Sequence, residues 1–171
     1  MLTIRPERPQ DYPAISTINL LAFGGEFEAR LVENLRHTAA FIPELSLVAL
    51  QDDEIVGHIL FSLVDICRDN QSIPVLSLAP MAVLPDYQNQ GIGSALVREG
   101  LRKCQVTGYP VVVVLGHPGF YPRFGFTPAG EKGLQLPFDA PAEAFMVYEL
   151  YPHSLDGIQG LVVYPPEFGE D

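Results

Sequence analysis

The spacing of apolar residues near the start of the chain predicts a short strand followed by two amphipathic helices. Residues 2–5 form the predicted edge strand, and the first helix is predicted to begin near Pro13 and to end at Gly24-Gly25. Its apolar positions recur at intervals of three or four residues, at Tyr12, Ile15, Ile18 and Ala22. A second helix is predicted from about residue 26 to residue 37, where apolar positions recur every four residues, at Phe27, Leu31 and Leu35.

Two β-rich runs follow the second helix. Leu45–Gln51 and Ile55–Val64 are separated by the charged residues 52–54, and this pattern predicts a hairpin. Val75–Leu84 predicts a further strand. The first half of the chain therefore favours antiparallel pairing between neighbouring strands.

The second half predicts a strand–helix–strand unit. A helix is expected to begin at Gly91 or shortly after it and to end at Gly108, and Val111–Leu115 is an unbroken apolar run typical of a strand covered on both faces. A short helical turn is predicted at 120–124, with later strands after 125–126, at 144–150 and at 158–164. Early hairpins and a later strand–helix–strand unit together predict an α/β fold with a mixed sheet and helices on both faces. No internal repeat or polar linker interrupts the pattern, which favours one domain.

Composition then limits the classes of function. The chain is 47% hydrophobic and 18% charged, which is typical of a soluble globular protein. No apolar run is long enough to span a bilayer and no secretory signal is recognisable at the start, so we expect a cytoplasmic protein without a membrane partner. Twenty-one acidic and ten basic side chains give a formal charge of −11, which disfavours a nucleic-acid partner and modestly favours cationic ligands. Cys67 and Cys104 are expected to be free thiols, and no Cys/His spacing predicts a metal site.

The strongest chemical signal is a glycine-bearing turn at the start of the third helix. The segment Gln88-Asn89-Gln90-Gly91-Ile92-Gly93-Ser94 follows a predicted strand and leads into that helix. Amide groups at a helix N-terminus suit a phosphate, and glycines let an anion approach the backbone because no Cβ intervenes. A P-loop would need a lysine here, and the dinucleotide fingerprint would need a glycine where Leu96 stands. By itself, the turn is equally compatible with glycines that only allow close packing.

The turn does not stand alone. Gln88-x-x-Gly91-x-Gly93 after such a strand resembles the pyrophosphate-binding motif of the GCN5-related N-acetyltransferases, the GNAT family. Val111–Leu115 is similar to the strand that follows in this family, and residues 120–126 resemble its Phe-Tyr-x-x-x-Gly-Phe segment.

The resemblance extends over roughly residues 2–150. The opening Ile4-Arg5-Pro6 is similar to the family's usual entry, and the C-terminal stretch, together with Gly116-His117-Pro118, resembles a bacterial subgroup of predicted acetyltransferases of the YhbS type. The resemblance implies a GNAT domain over residues 1–151 with a C-terminal extension, 152–171, packed on the same domain. It also implies a mostly antiparallel sheet whose central strands splay apart.

Membership of this family implies acetyl-CoA, or CoA, as the cosubstrate. The backbone near Met81 and Val83 would hold the pantetheine arm like an added strand, and the amides of the glycine turn would hold the pyrophosphate. The residues that the resemblance assigns to cosubstrate binding are Met81, Ala82, Val83, Gln88, Asn89, Gln90, Gly91, Ile92, Gly93, Ser94, Tyr121 and Phe124.

The resemblance assigns Tyr121 the role of general acid toward the departing thiolate; the alternative is that Tyr121 only packs in the core or beside CoA. The base is open, because no Asp or Glu lies between Val75 and Leu84, where many family members carry a carboxylate. Glu26, near the start of the second helix where the family's acceptor usually enters, and His117 are the candidate catalytic bases. Either can instead be structural: Glu26 as a helix-terminal carboxylate and His117 as a loop residue.

These implications predict direct acetyl transfer from acetyl-CoA to a primary amine of a small molecule or a peptide. One alternative is a CoA-binding regulatory module without transfer activity. Another is acetylation of a protein N-terminus or lysine. A homodimer is common in the family, and the segment 152–171 is a candidate contributor to it.

Overall fold

The computed structural model describes residues 1–169, which contain three α-helices and nine strands. The helices are α1 (Tyr12–Phe23), α2 (Phe27–Leu35) and α3 (Ile92–Gln105). The strands are β1 (Leu2–Pro6), β2 (Phe41–Gln51), β3 (Glu54–Arg68), β4 (Gln71–Val83), β5 (Val111–Leu115), β6 (Thr127–Pro128), β7 (Leu134–Gln135), β8 (Phe145–Glu149) and β9 (Gly160–Val163). The predicted α/β class with a mixed, mostly antiparallel sheet is confirmed.

The chain divides into two compact units, one formed by residues 1–62 and 79–103 and the other by residues 63–78 and those from 104 onward. In the first unit, β1 pairs antiparallel with β2, and β2 pairs antiparallel with β3. The predicted hairpin is confirmed: Asp52 and Asp53 both adopt positive φ at its turn. Aspartate tolerates this left-handed conformation better than most residues, which explains the acidic turn sequence.

Helix α3 lies unusually close to β3 in the first unit. A Cβ built on Gly100 would lie 2.3 Å from Cε1 of Phe61, and one built on Gly57 would lie 3.0 Å from Cδ1 of Leu96. The two missing side chains therefore allow the helix and the strand to approach each other at both ends of their contact. This contact fixes the position of the helix N-terminus.

A buried polar network lies on the face of β3 that points away from α3. Its member His58 follows Gly57, which faces α3, and successive side chains of a strand point to opposite faces. Arg36, just after α2, donates from Nε and Nη2 to the Glu7 carboxylate at 2.9 and 3.1 Å. Ser46 Oγ also donates to Glu7, at 2.6 Å, so it accepts from His58 Nε2 at 3.0 Å. The network ties the end of α2 to this face, so helices cover both faces of the first unit's strands, as the sequence predicted.

In the second unit, β4 pairs parallel with β5, and β5 pairs antiparallel with β8. The parallel ladder contains the pairs Leu76–Val112 and Ser77–Val113 and no further pair among the described residues, in agreement with the expected divergence of these strands. β5 is buried from Val111 to Val114, which confirms the prediction of a strand covered on both faces.

The C-terminal segment is tied to this second unit. β9 pairs antiparallel with β3 and parallel with β7, and Ser154 Oγ donates to the Pro110 carbonyl at 2.7 Å. Its Ile158 and Val162 belong to a buried cluster with Val64 and Val147. The proposed boundary between a domain at 1–151 and an extension stays a prediction, and its last two residues, 170 and 171, lie outside the described part.

Several strands are longer than the sequence pattern predicted. β2 begins at Phe41 rather than Leu45, and β4 begins at Gln71 rather than Val75. Pro43 and Pro74 lie in these added segments, and proline argues against a strand in a sequence pattern because it cannot donate to the ladder. The two-residue strand β7 was not predicted, since a segment this short carries no periodicity.

We predict that Gly100→Ala destabilises the protein by about 1–3 kcal/mol, because its methyl group would overlap the Phe61 ring. Chemical denaturation of the variant and the wild type measures the difference. Gly25→Ala is the matched control, since a Cβ there meets nothing within 4 Å. Equal stability of the Gly100 variant would show that α3 can move away from β3 at little cost.

We also predict a pH-dependent penalty from His58. Burial, aided by the charge of Arg36, lowers the pKa of His58 from 6.5 to about 3, so the folded protein keeps this imidazole neutral while the unfolded chain protonates it. Stability contributed by the neutral ring is therefore present above about pH 6.5 and falls by about 1.4 kcal/mol per pH unit below it.

His58→Gln keeps an N–H donor for Ser46 and removes the titration. We expect the free energy of unfolding of the variant to fall by about 2 kcal/mol less than that of the wild type between pH 6.5 and 5. The replacement of the exposed His37 by Gln is the control. Parallel pH profiles for the wild type and the His58 variant would contradict the assignment.

Candidate functional site

The loop between β4 and α3 is held by short backbone hydrogen bonds. Directly after β4, the Leu84 amide donates to the Val56 carbonyl at 2.8 Å, and a single 3-10 turn spans Pro85–Tyr87. The Tyr87 hydroxyl donates to Glu54 Oε1 at 3.1 Å. The start of the loop is thus anchored to β3 by both backbone and side-chain contacts.

The glycine turn itself has two residues with positive φ, Asn89 at 64° and Gly91 at 88°. Gln88 Nε2 donates to the Val83 carbonyl at 3.0 Å, which closes the turn back onto the end of β4. A Cβ at Gly91 would meet nothing within 4 Å, so space is open beside this residue. The sequence predicted an accessible backbone at Gly91, which agrees with this geometry, while the binding of an anion there stays a prediction.

Unused amide donors accumulate at this turn. The first backbone bond into α3 runs from the Ala95 amide to the Gly91 carbonyl at 3.0 Å, and within residues 1–169 no backbone carbonyl accepts from the amides of residues 89–94. Gln88, Asn89, Gln90 and Gly91 are solvent-exposed, so water or a ligand can reach them. Such a group of donors, together with the helix dipole, is suited to an anion.

The strand end before the turn is more constrained. Ala82 and Val83 are buried and Met81 is partly buried, while Ile92, the first residue of α3, packs toward Gly57. Gly93 and Ser94 are partly buried. The Val83 carbonyl already accepts from Gln88. The family resemblance assigns the backbone near Met81 and Val83 to the pantetheine arm, and the Val83 carbonyl in this segment already has a hydrogen-bond partner within the chain.

In the second unit, Tyr121 begins a 3-10 turn, Tyr121–Phe124, which ends at Gly125 with φ of 107°. The Tyr121 ring makes edge-to-face contacts with Phe120 and Phe126, at centroid distances of 5.0 and 5.5 Å. Only 7% of Tyr121 is exposed. The phenol is therefore surrounded by aromatic rings, and burial raises its pKa from 10 to about 12.

This pKa restricts the chemistry of Tyr121. The phenol stays protonated throughout the physiological range, so it is available as a proton or hydrogen-bond donor rather than as a base. Phe124 is partly buried and its ring lies 5.1 Å from that of Phe120. Phe124 thus belongs to the same aromatic group as the tyrosine.

The two candidate bases are both exposed. The His117 carbonyl accepts from the amides of Phe120 and Tyr121 at 3.0 and 3.4 Å, which is a main-chain role in shaping the loop. Glu26 precedes α2 and forms an i,i+4 ion pair with Arg30 at 2.5 Å. The structure therefore brings His117, Tyr121 and Phe124 into one local segment, and it places Glu26 on the surface of the first unit with a cationic partner.

Sequence reasoning missed Gly116 as a residue that shapes the tyrosine's surroundings. A Cβ at Gly116 would lie 2.5 Å from Cε2 of Tyr121. The available signal was a glycine at the end of a predicted strand, five positions before the tyrosine, but a glycine there is compatible with many turns.

Within residues 1–169, no group of three or more His, Cys, Asp or Glu side chains is arranged to hold a metal ion. In the same part of the chain, no helix combines the length and apolar character needed to cross a membrane.

Comparisons with known proteins agree on one family. Residues 43–128 match the family model described as an acetyltransferase (GNAT) domain. The uncharacterised N-acetyltransferase YhbS of Escherichia coli K12 is 36% identical over 168 residues, covering 98% of this chain and 98% of YhbS.

Solved structures give the same result. The crystal structure of E. coli YhbS in complex with CoA superposes with a TM-score of 0.89 at 35% identity, covering 98% of this chain and 91% of that chain. A GNAT acetyltransferase of Brucella melitensis in complex with acetyl-CoA gives 0.79 at 34% identity, covering 99% of each chain. The ribosomal-protein-S18-alanine N-acetyltransferase of E. coli gives 0.65 at 17% identity, covering 88% of this chain and 94% of that chain, which shows a shared fold alone.

We predict that Gly91→Val weakens the binding of CoA at least tenfold. A valine here is strained at positive φ and places a side chain in the open space beside the free amides. Loss of one or two hydrogen bonds to a charged group, at about 1.5–3 kcal/mol each, corresponds to this range. Isothermal titration calorimetry with CoA measures the effect.

Gly108→Val is the matched control, because Gly108 has φ of 89° and equally open surroundings but lies outside the turn. We expect the control to retain CoA affinity within twofold even if it lowers the melting temperature. Unchanged affinity in the Gly91 variant would remove the turn from the binding site.

Proposed function

The chain belongs to the GNAT family of acetyltransferases, and from this premise we propose that it transfers the acetyl group of acetyl-CoA directly to a primary amine of a small molecule or a peptide. The observation that carries the proposal is the row of amides at residues 89–94 without backbone acceptors, beside the open space at Gly91. The CoA and acetyl-CoA complexes of two relatives at 34–35% identity support the same cosubstrate.

The turn suits the pyrophosphate of CoA without a cationic side chain of its own. Residues 88–94 contain no Lys or Arg, so the attraction comes from amide dipoles and the N-terminus of α3. We assign Gln88–Ser94 to the pyrophosphate, and Met81, Ala82 and Val83 to the pantetheine arm. Tyr121 and Phe124 are assigned to the acyl end. These assignments rest on the family motif and on the exposure of the turn.

Bound acetyl-CoA supplies an activated thioester carbonyl, and the departing group is a thiolate that needs a proton or a hydrogen bond. We assign the Tyr121 hydroxyl to this thiolate. Complete transfer from a phenol of pKa about 12 to a thiolate of pKa about 8.5 is uphill by about 5 kcal/mol, so Tyr121 acts first by hydrogen bonding to the developing charge. Its proton moves fully only if desolvation makes the thiolate more basic as well.

The acceptor amine must lose a proton before or during attack. We assign this step to Glu26 or His117, through water, because both side chains are exposed to solvent. Glu26 must share its carboxylate with Arg30 in this role. The chain carries no carboxylate between Val75 and Leu84 to take over this role.

We further propose that residues 1–151 form the catalytic domain with 152–171 packed on it, and that the protein acts in the cytoplasm. The pairing of β9 with β3 supports the placement of the C-terminal segment. A homodimer and a protein or peptide acceptor remain part of the proposal. The excess of acidic side chains suits a cationic acceptor of either kind.

Release of the CoA thiol from acetyl-CoA, measured over a panel of polyamines, amino acids, aminoglycosides and basic peptides, tests the activity. We expect amine-dependent release, and we expect Tyr121→Phe to lower kcat by about 10²–10⁴-fold while acetyl-CoA affinity stays within twofold. Tyr151→Phe, at an exposed tyrosine, is the control.

Tight binding of CoA with no turnover on any acceptor would favour a regulatory CoA-binding module instead. Full activity of Tyr121→Phe on an accepted amine would leave the transfer reaction intact and remove Tyr121 from it.

A further inference from the structure

Gly116 lies directly beside one edge of the Tyr121 ring. A Cβ built on Gly116 would lie 2.5 Å from Cε2, 3.1 Å from Cδ2 and 3.5 Å from Cζ of Tyr121. Ordinary contacts of a Cβ begin near 3.4 Å, so a methyl group here would require the ring edge to retreat by roughly 0.9 Å. The missing side chain therefore defines one wall of the space that the phenol occupies.

The backbone of Gly116 is fixed independently of the tyrosine. Its amide donates to the Ala144 carbonyl at 2.9 Å, directly before β8, and its own position directly follows β5. The glycine therefore cannot easily move away from an added methyl group. Its φ does not lie in the left-handed region, so alanine is compatible with the backbone and the effect of a substitution comes from the Cβ alone.

The other walls of this space are aromatic. Phe120 and Phe126 contact the Tyr121 ring edge-to-face, and the Tyr121 amide is held by the His117 carbonyl at 3.4 Å. A ring pushed away from Gly116 must therefore turn or shift against these neighbours, and its hydroxyl moves with it. A misplacement of about 1 Å at a reacting group can cost about 10²-fold in rate.

We propose that Gly116 is a positioning residue for the reaction, which sets the location of the Tyr121 hydroxyl by the absence of a side chain. This inference rests on the proposed function of Tyr121 as the proton or hydrogen-bond donor. Gly116 itself makes no contact with substrate in this role and acts through the tyrosine ring.

A double-mutant cycle of Gly116→Ala and Tyr121→Phe tests the inference, because phenylalanine keeps the ring edge that Gly116 faces and lacks the hydroxyl. We expect Gly116→Ala to lower kcat about 10- to 100-fold in the wild type, with KM for acetyl-CoA within twofold. In the Tyr121→Phe background the same change should lower kcat by less than twofold. Gly119→Ala is the matched control in the same loop, since a Cβ there has an ordinary contact of 3.7 Å with His117 Nδ1.

The outcomes separate the failure of this inference from the failure of the proposed function. Full activity of Tyr121→Phe would contradict the proposed donor and the inference with it. A slow Tyr121→Phe combined with an unchanged Gly116→Ala would overturn the inference alone. Equal losses from Gly116→Ala in both backgrounds, or loss of acetyl-CoA binding in both, would show that Gly116 supports the fold and does not act through the hydroxyl.

Discussion

The close approach of α3 to β3 is the constraint on which the candidate phosphate site depends. Because Gly57 and Gly100 lack side chains, Leu96 of the helix comes close to Gly57 of the strand, and Phe61 of the strand comes close to Gly100 of the helix. The approach fixes the axis of the helix, and the helix N-terminus then lies directly after the anchored loop that leaves β4. The amides of residues 89–94 have no backbone acceptor, and for those in the first turn of α3 this follows from where the helix begins. Without this packing, the turn would have the same residues but no fixed orientation toward a ligand.

The local electrostatics of the glycine turn differ from the overall charge of the protein. The turn has no cationic side chain, and the protein has a formal charge of −11, so local dipoles would have to hold the proposed anion against the overall field. Short-range hydrogen bonding can outweigh the long-range repulsion because salt screens charges beyond roughly 10 Å. The same acidic surface is compatible with an amine as the second substrate. A neutral turn on an acidic protein is thus compatible with the proposed pair of one anionic and one cationic substrate.

At Tyr121, burial rather than charge determines the protonation state. The rings of Phe120 and Phe126 exclude water, and this raises the pKa of the phenol to about 12. The tyrosine is then a permanent donor, weaker as an acid than a solvated phenol but oriented by its neighbours. In the proposed reaction, placement matters more for such a group, because its contribution would come from directed hydrogen bonding to charge that develops in the transition state. Gly116 leaves room for the Tyr121 ring in the same way that Gly57 and Gly100 leave room between α3 and β3.

The sequence by itself determined the local features that depend on neighbours along the chain. Periodicity located α1, α2 and α3, the acidic turn at Asp52-Asp53, and the glycine turn at the start of a helix, because each of these is fixed by spacing within a few residues. The ordered motif from Gln88 to Phe126 also identified the family.

Only the tertiary structure showed which glycines are required because a neighbouring side chain leaves no room for a Cβ. At Gly57, Gly100 and Gly116 the neighbouring side chain comes from a position that is distant in the chain or not related by a regular period. It also decided that His58 is neutral within a network joining Glu7, Ser46 and Arg36, and that Tyr121 is surrounded by aromatic rings. Burial and close approach are properties of three-dimensional packing, and a pattern along the chain does not contain the spatial distance between residues that are far apart in sequence.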